Sequence, residues 1–482
     1  MRTVLFFEVH QPLRIKPLAS APPGALLEGP EEVFNWDVND LVFKRVSERV
    51  YIKASKVLLG ALKENRDFKF TLSVSGITLE QLREKAPEAL RLFEEMVESE
   101  RVEFAAQTYY HSLAWLVDRG EFVEQVLEQA KLLEELLGYK PSSAENTEFI
   151  YNNDVGCTLS NMGFKAVVTE GVEWVQGFKG YNHVYTNPLC GIRILLRNYG
   201  LSDDLGFRFS LRDWDQHPLT ASKYVSWLQA SPGEVVMVAL DYETFGEHQW
   251  PETGIYEFLE WLPREAERSG LVFSTVAEAA SEVEPQGVYD VPPWSTISWA
   301  DERDLSAWVG NDFQKAALEK LRTLYYYSKA LGDRALRLWR LYSMSDHFYY
   351  QATKTGPAGE VHNYFNPYGS PYKAQVTYIT ALEAFSKWVV ERARRNYCNF
   401  LSKFTAPEEL CFYFKTPGGS YTGFKACSMS ELLESLQKAP GESIEYHEGR
   451  GDIERWAREV LLAREGFKAA ASKCGLLGGS RA

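Results

Sequence analysis

Six cysteines are scattered through the chain (Cys157, Cys190, Cys398, Cys411, Cys427, Cys474), and no two form a C-x-x-C pair. That spacing suits neither a zinc ribbon nor a disulfide framework, and it predicts the reduced thiols of a cytoplasmic protein. Basic charge is also short: 52 Lys plus Arg stand against 66 Asp plus Glu, a formal net charge of −14. Nucleic acid and anionic membrane both require a basic face, so neither is expected as a partner. No apolar run approaches the roughly 20 residues of a membrane span. The opening MRTVLFFEVHQP enters a strand at once, without the length or cleavage site of a signal peptide. Histidines number only eight, and none shows the H-x-D or H-x-x-x-H spacing that brings paired ligands onto one zinc ion. No catalytic metal is therefore expected. G-x-S-x-G, G-x-x-x-x-G-K-[ST] and G-x-G-x-x-G are absent too, which removes an esterase elbow, a P-loop and a dinucleotide site.

What is present is a long chain of 482 residues, rich in aromatics at 14%, with 13 Trp and 26 Tyr. Such rings serve equally to line a sugar-binding cleft or to fill a large core. Short apolar runs recur, and several end in polar clusters. Val4 to Val9 leads into His10-Gln11-Pro12, Phe68 to Val74 into Ser75-Gly76, and Val102 to Ala106 into Gln107 to His111. Ala166 to Val168 leads into Thr169-Glu170-Gly171, and Val235 to Leu240 into Asp241. Unalternating runs of this length predict strands buried on both faces. Between them, Ala86 to Glu100 and Glu121 to Leu137 carry helical spacing, so strands and helices alternate and a parallel sheet follows. Polar strand ends gathered at one mouth favour a closed α/β barrel, with its chemistry past the strands' carboxyl ends.

The pattern changes near Pro292. Phe313 to Leu331 and Tyr372 to Arg395 read as helices, with the unusual stretches SMSDHFYYQ (Ser343 to Gln351) and FNPYGSPY (Phe365 to Tyr372) between them. It changes again near Asn399. A hairpin turned at Gly418-Gly419 and a helix capped by Ser428 or Ser430 are predicted, then a strand-to-helix passage in IEYHEGRGDIERWAREVL. The expected division is a barrel over 1–290, a helical region over 291–398 that contributes to the barrel mouth, and a small α+β domain over 399–482. The tail GLLGGSRA is expected to lack order. Nothing in the sequence specifies an oligomeric state.

Two carboxyl groups stand out. Asp241 ends the most apolar strand and opens the cluster DYETFGEHQW; Glu148 sits in SAENTEFIYNND, dense in polar groups with two rings. Cleaving a glycosidic bond takes such a pair, one acid to protonate the leaving oxygen and one to attack or stabilise the anomeric carbon. An Asp at this place can also simply cap the next segment, and an acidic chain holds many chance pairs. Four of the eight histidines, His10, His111, His248 and His347, fall in the same kind of polar cluster, which favours contact with a ligand.

Five ordered motifs, HQP (His10 to Pro12), QTYYHSLAW (Gln107 to Trp115), ENTEFIYNN (Glu145 to Asn153), LDYETFGEHQW (Leu240 to Trp250) and SDHFYY (Ser345 to Tyr350), resemble glycoside hydrolase family 57. The likeness is to its α-amylase branch from archaea and thermophiles; TEGVEWV (Thr169 to Val175) and FNPYGSPY fit it too. The resemblance implies a (β/α)7 barrel followed by a helical region, acting on α-glucans by a retaining mechanism without metal or organic cofactor. It implies Glu148 as nucleophile and Asp241 as general acid and then base. His10, His111, Trp174, His248, Asp346 and His347 would shape the sugar subsites. A 4-α-glucanotransferase or branching enzyme would use the same carboxylates, some amylase-like relatives have lost one of them, and a non-catalytic glucan-binding or regulatory protein is the further alternative. Gln351 departs from the pattern, where an apolar residue is expected. SIEYHEGRGDIERWAREVL resembles, more loosely, a small archaeal domain of unknown function found beside glycogen- and trehalose-metabolism enzymes.

Overall fold

The computed structural model describes residues 1–17 and 30–476. Residues 477–482, most of the tail expected to lack order, lie outside the described residues. The chain divides into two compact units. One comprises Met1–Arg14, Asn35–Gln314 and Ser343–Ala374, the other Ile15–Phe34, Lys315–Tyr342 and Gln375–Ala482.

The first unit is built on β1 (Arg2–Val9), β2 (Phe70–Val74), β3 (Val102–Ala105), β4 (Ser143–Ala144), β5 (Ala166–Glu170), β6 (Val184–Thr186), β7 (Arg193–Arg197), β8 (Val235–Asp241) and β9 (Val272–Ser274). Hydrogen bonding runs in the order β3-β2-β1-β8-β7-β5-β4. A parallel bridge between Ala106 and Ala144 joins the two ends, with the Ala106 N–H donating to Ser143 O at 2.9 Å and the Glu145 N–H to Ala106 O at 2.8 Å. Seven parallel strands thus close into a (β/α)7 barrel. Two strands stand off the ring: β6 pairs antiparallel with β7, and β9 parallel with the first residues of β1. Helices over Pro87–Glu98 and Arg119–Leu137 follow strands in the ring, close to where helical spacing predicted them. β4 carried no legible apolar run, since it contributes only two residues to the ladder, and β7 went unread although Ile194-Leu195-Leu196 forms a short one.

Alternation along each strand sorts the barrel interior by height. Val4 and Phe6 of β1, Val168 of β5, Leu195 of β7 and Met237 and Ala239 of β8 pack as one apolar cluster, which Val276, Ala279 and Ala280 of the helix Val276–Glu282 join. Two residues further along, the inward positions turn polar. The register sets Glu8 between Ser73 and Asp241, and Glu170 beside Arg197. Fully burying a side chain like Phe6 stabilises by about 1.5–3 kcal/mol, so the apolar layer carries the fold and the polar layer is left for chemistry.

In the second unit, Trp339 packs on Tyr325 with centroids 4.9 Å apart and its indole donates to Leu321 O at 2.7 Å. The hairpin is present as β10 (Phe412–Lys415) and β11 (Tyr421–Ala426), and Ser428 caps the helix Met429–Lys438 by accepting from the Glu431 N–H. The strand-to-helix passage predicted after it is a pair of helices instead, Gly441–Arg450 and Asp452–Glu459, parted at Gly451 with φ +67°. Ile444 and Tyr446 alternate like a strand. The buried pair, however, is Ser443 and His447, one helical turn apart, and tertiary contact overrides the local pattern. His447 accepts from the Lys415 N–H at 2.9 Å and meets Asp452 at 2.9 Å, which ties both helices to the hairpin.

The cysteine expectation is wrong. All six pair, as Cys157–Cys190, Cys398–Cys474 and Cys411–Cys427. Separations of 33, 76 and 16 residues concealed partners that the fold brings to Cα distances of 5.5, 5.1 and 4.3 Å, within bridging range. The thiol argument for a reducing compartment falls with it. Among the described residues no helix is long and apolar enough to cross a membrane.

Candidate active site

Glu148 reaches the barrel mouth through a strained turn. Glu148 and Phe149 both take positive φ, 61° and 52°, a conformation that costs about 1–3 kcal/mol per residue unless its surroundings hold it. Packing supplies the hold. Phe149 turns down into the core against Phe6 (5.6 Å) and Trp299 (4.7 Å), and the carbonyls of Glu148 and Phe149 accept from the Trp299 N–H and the Thr169 hydroxyl. Glu148 is left aiming upward with 14% of its side chain exposed. Its Oε1 accepts from the Ser345 hydroxyl at 2.7 Å and lies 3.5 Å from His111 Nε2; its Oε2 accepts from the Trp299 indole at 2.8 Å.

Asp241 ends β8, one register step across from Glu8. Its carboxyl group is pushed up to about 7 by burial first and then by the Glu8 and Glu148 charges, against a smaller pull from His111 and Arg197. The side chain nevertheless keeps 39% of its surface. His248 Nδ1 lies 3.9 Å away, and burial lowers the His248 ring to about 4, leaving it neutral. Phe365 and Tyr364 meet that ring edge-on.

His10 and His111 stack with centroids 4.2 Å apart. Burial, then the neighbouring His111 charge, lowers His10 to about 4; its Nδ1 meets Ser75 at 2.8 Å and its Nε2 meets Asp346 at 3.2 Å. Burial also disfavours a charge on His111, yet the Glu8 and Glu148 carboxylates outweigh it and hold this ring well above an ordinary imidazole. Asp346 is pulled below the usual carboxylate range, its histidine neighbours prevailing over burial.

Six of the eight residues singled out in the sequence, His10, His111, Glu148, Asp241, His248 and Asp346, therefore form one network. His347 is buried in the helix Ser345–Tyr349 beside Asp346. Trp174 is 63% exposed on the helix Glu173–Gln176, and among the described residues it makes no hydrogen bond or ring contact. Gln351 has a polar task after all: it donates to His347 O at 2.6 Å, at the end of that helix.

Sequence reading missed Trp299 and Ser345, whose value lies wholly in reaching Glu148 across about 150 and 200 positions. It also missed two buried acids, Glu8 and Glu145. None of their four carboxylate oxygens accepts a hydrogen bond among the described residues. Burial raises both, Glu145 well above the usual range with the Glu8 charge adding to it. A signal for Glu8 existed, a lone acid inside the apolar strand VLFFEV.

The barrel mouth thus joins a hydrogen-bonded carboxylate to a second acid raised to about 7, an arrangement suited to glycoside hydrolysis. The chain belongs to glycosyl hydrolase family 57, whose family model matches residues 4–292. A protein of Methanocaldococcus jannaschii, provisionally named an alpha-amylase, is 41% identical over 397 residues, 80% of this chain and 84% of its own. Among solved structures, the family 57 branching enzyme of Thermococcus kodakaraensis shares the fold with a TM-score of 0.60 at 13% identity, covering 82% of this chain and 91% of its own. The alpha-amylase AmyC of Thermotoga maritima does so at 0.51 and 14%, covering 83% and 96%.

Proposed function

We propose that this protein cleaves internal α-1,4-glucosidic bonds of starch, glycogen or maltodextrins by double displacement. Glu148 attacks the anomeric carbon while Asp241 gives its proton to the departing oxygen; water then releases the glycosyl-enzyme with Asp241 as base. The observation that carries this reading is the contrast between the two acids. Three neighbours, the Ser345 hydroxyl, the Trp299 indole and His111, bring donors to the carboxylate of Glu148, whereas Asp241 is held up to about 7 and so keeps a proton to give. A fixed anion beside a neutral acid is what a retaining glycosidase needs. His10, His248 and Asp346 line the same mouth and are suited to gripping sugar hydroxyls, and the exposed Trp174 to stacking on a sugar face. The provisional name of the 41% identical relative supports the α-amylase assignment.

The test is incubation with maltoheptaose, chromatography of the products, and Glu148→Gln as control. Shorter maltooligosaccharides, α-configured when first released and absent with the variant, are expected. Products longer than the substrate would replace hydrolysis by transfer at the same carboxylates. No turnover by the wild-type protein would overturn the reading.

A further inference from the structure

Both nitrogens of the His111 ring face acceptors. Nδ1 lies 3.1 Å from Glu8 Oε1 and 3.1 Å from Gln107 Oε1, while Nε2 lies 3.5 Å from Glu148 Oε1. The Gln107 amide sits with its Nε2 donating to Ser73 Oγ at 3.0 Å and its Oε1 toward Nδ1, and whichever way it turns, the Glu8 carboxylate offers Nδ1 only acceptors. A neutral imidazole carries one N–H and would leave one side with lone pairs opposed; only the doubly protonated ring serves both. Glu8 is the charged member of the Nδ1 pair. It is 2% exposed at the level of Asp241 in the ring of strands, and its cost of burial is met by no aligned hydrogen bond. A buried carboxylate so poorly partnered contributes little to the fold.

We propose that Glu8 is a positioning residue: its carboxylate holds His111 by Nδ1, so that Nε2 of the same ring stays protonated and turned toward the Glu148 carboxylate. The inference rests on reading Glu148 as the nucleophile. The charged and titratable groups around His111 are Glu8, Glu145, Glu148, Asp241 and Asp346, with His10 stacked on its face. Five acids surround one imidazolium, so removing the Glu8 charge weakens its hold on the proton. A neutral His111 then offers Glu148 no cation, and its Nε2 lone pair faces the Glu148 carboxylate instead of donating to it.

Glu8→Gln tests this, since the amide matches the carboxylate in shape and removes the charge. Expected is a fall in kcat of about 10- to 100-fold, of the order a misplaced reacting group costs, with KM little changed. The loss deepens as pH rises, where the variant's His111 gives up its proton first, while the unfolding temperature stays level or rises. Glu8→Asp, which keeps the charge, restores turnover at the alkaline end. In ¹⁵N-histidine NMR near neutral pH, the wild-type His111 ring shows two protonated nitrogens and the Glu8→Gln ring loses one. An unmoved pH profile with unchanged kcat overturns the proposal. So does a kcat that falls only together with the unfolding temperature, the mark of a purely structural residue. Should the wild-type protein turn over no α-glucan, the nucleophile reading fails, and the NMR result alone decides whether Glu8 governs His111.

Discussion

The bottom and the mouth of the barrel each bury acids, and they treat them differently. Near the bottom, Glu103 accepts from the Ser143 hydroxyl at 2.5 Å, the Ala277 N–H at 2.9 Å and the Thr71 hydroxyl at 3.2 Å. At the mouth, Glu145 accepts no hydrogen bond among the described residues, and Glu8 has only the unaligned His111 Nδ1, 3.1 Å away. Burial raises all three, so depth alone does not separate them. The donors do. A carboxylate surrounded by donors is part of the fold, while one left without them is retained against stability, as residues at functional sites commonly are.

The largest effect that would sharpen this contrast is the loss of Glu148. Glu148→Gln should remove more turnover than the ~10²–10⁴-fold that general acid catalysis typically contributes, while maltooligosaccharide binding measured by calorimetry persists. Equal loss of binding would make Glu148 a structural group like Glu103. Next comes the apolar floor. Phe6→Ala should cost about 3–5 kcal/mol in denaturant unfolding, because Phe6 is fully buried and touches the ring of Phe149. Activity should fall with it as the Glu148 turn loses its anchor. A smaller loss, about 3 kcal/mol, is expected for Glu103→Ala, which strands three donors. Glu145→Gln, by contrast, should leave unfolding unchanged or shift it upward. If the two acids respond alike, the contrast between bottom and mouth fails.

The smallest effect is a pH dependence. The folded Asp241 group titrates near 7, above its ordinary value of 3.8. The folded state therefore keeps a proton that the unfolded chain releases, and stability falls as pH rises through that window. Asp241→Asn should thus raise the unfolding temperature at pH 8 and change it little at pH 4, modestly because 39% of the side chain meets solvent. In the wild-type protein, activity should decline as pH rises past about 7, where the acid loses its proton.

Much of this site was legible one strand at a time. Asp241 stood at the end of an apolar run, and His10 and His111 followed others, because a parallel strand buried on both faces announces itself by composition and its polar end marks the mouth. β4 could not be read, having only two ladder residues, nor could the helix Gly441–Arg450, whose alternation imitates a strand.

The sequence by itself determined most of the barrel's buried strands and the polar ends that crowd its mouth, since burial and periodicity are properties of neighbours along the chain; the pairing of Glu148 with Asp241 came from the family resemblance. The tertiary structure alone decided the rest. Trp299 and Ser345 reach Glu148 from distant segments, six cysteines meet as three disulfides, and Asp241 holds its proton through burial and the charges of Glu8 and Glu148. Hydrogen bonds, disulfides and Coulomb forces act over a few ångströms of space, and separation along the chain does not record which groups folding brings that close.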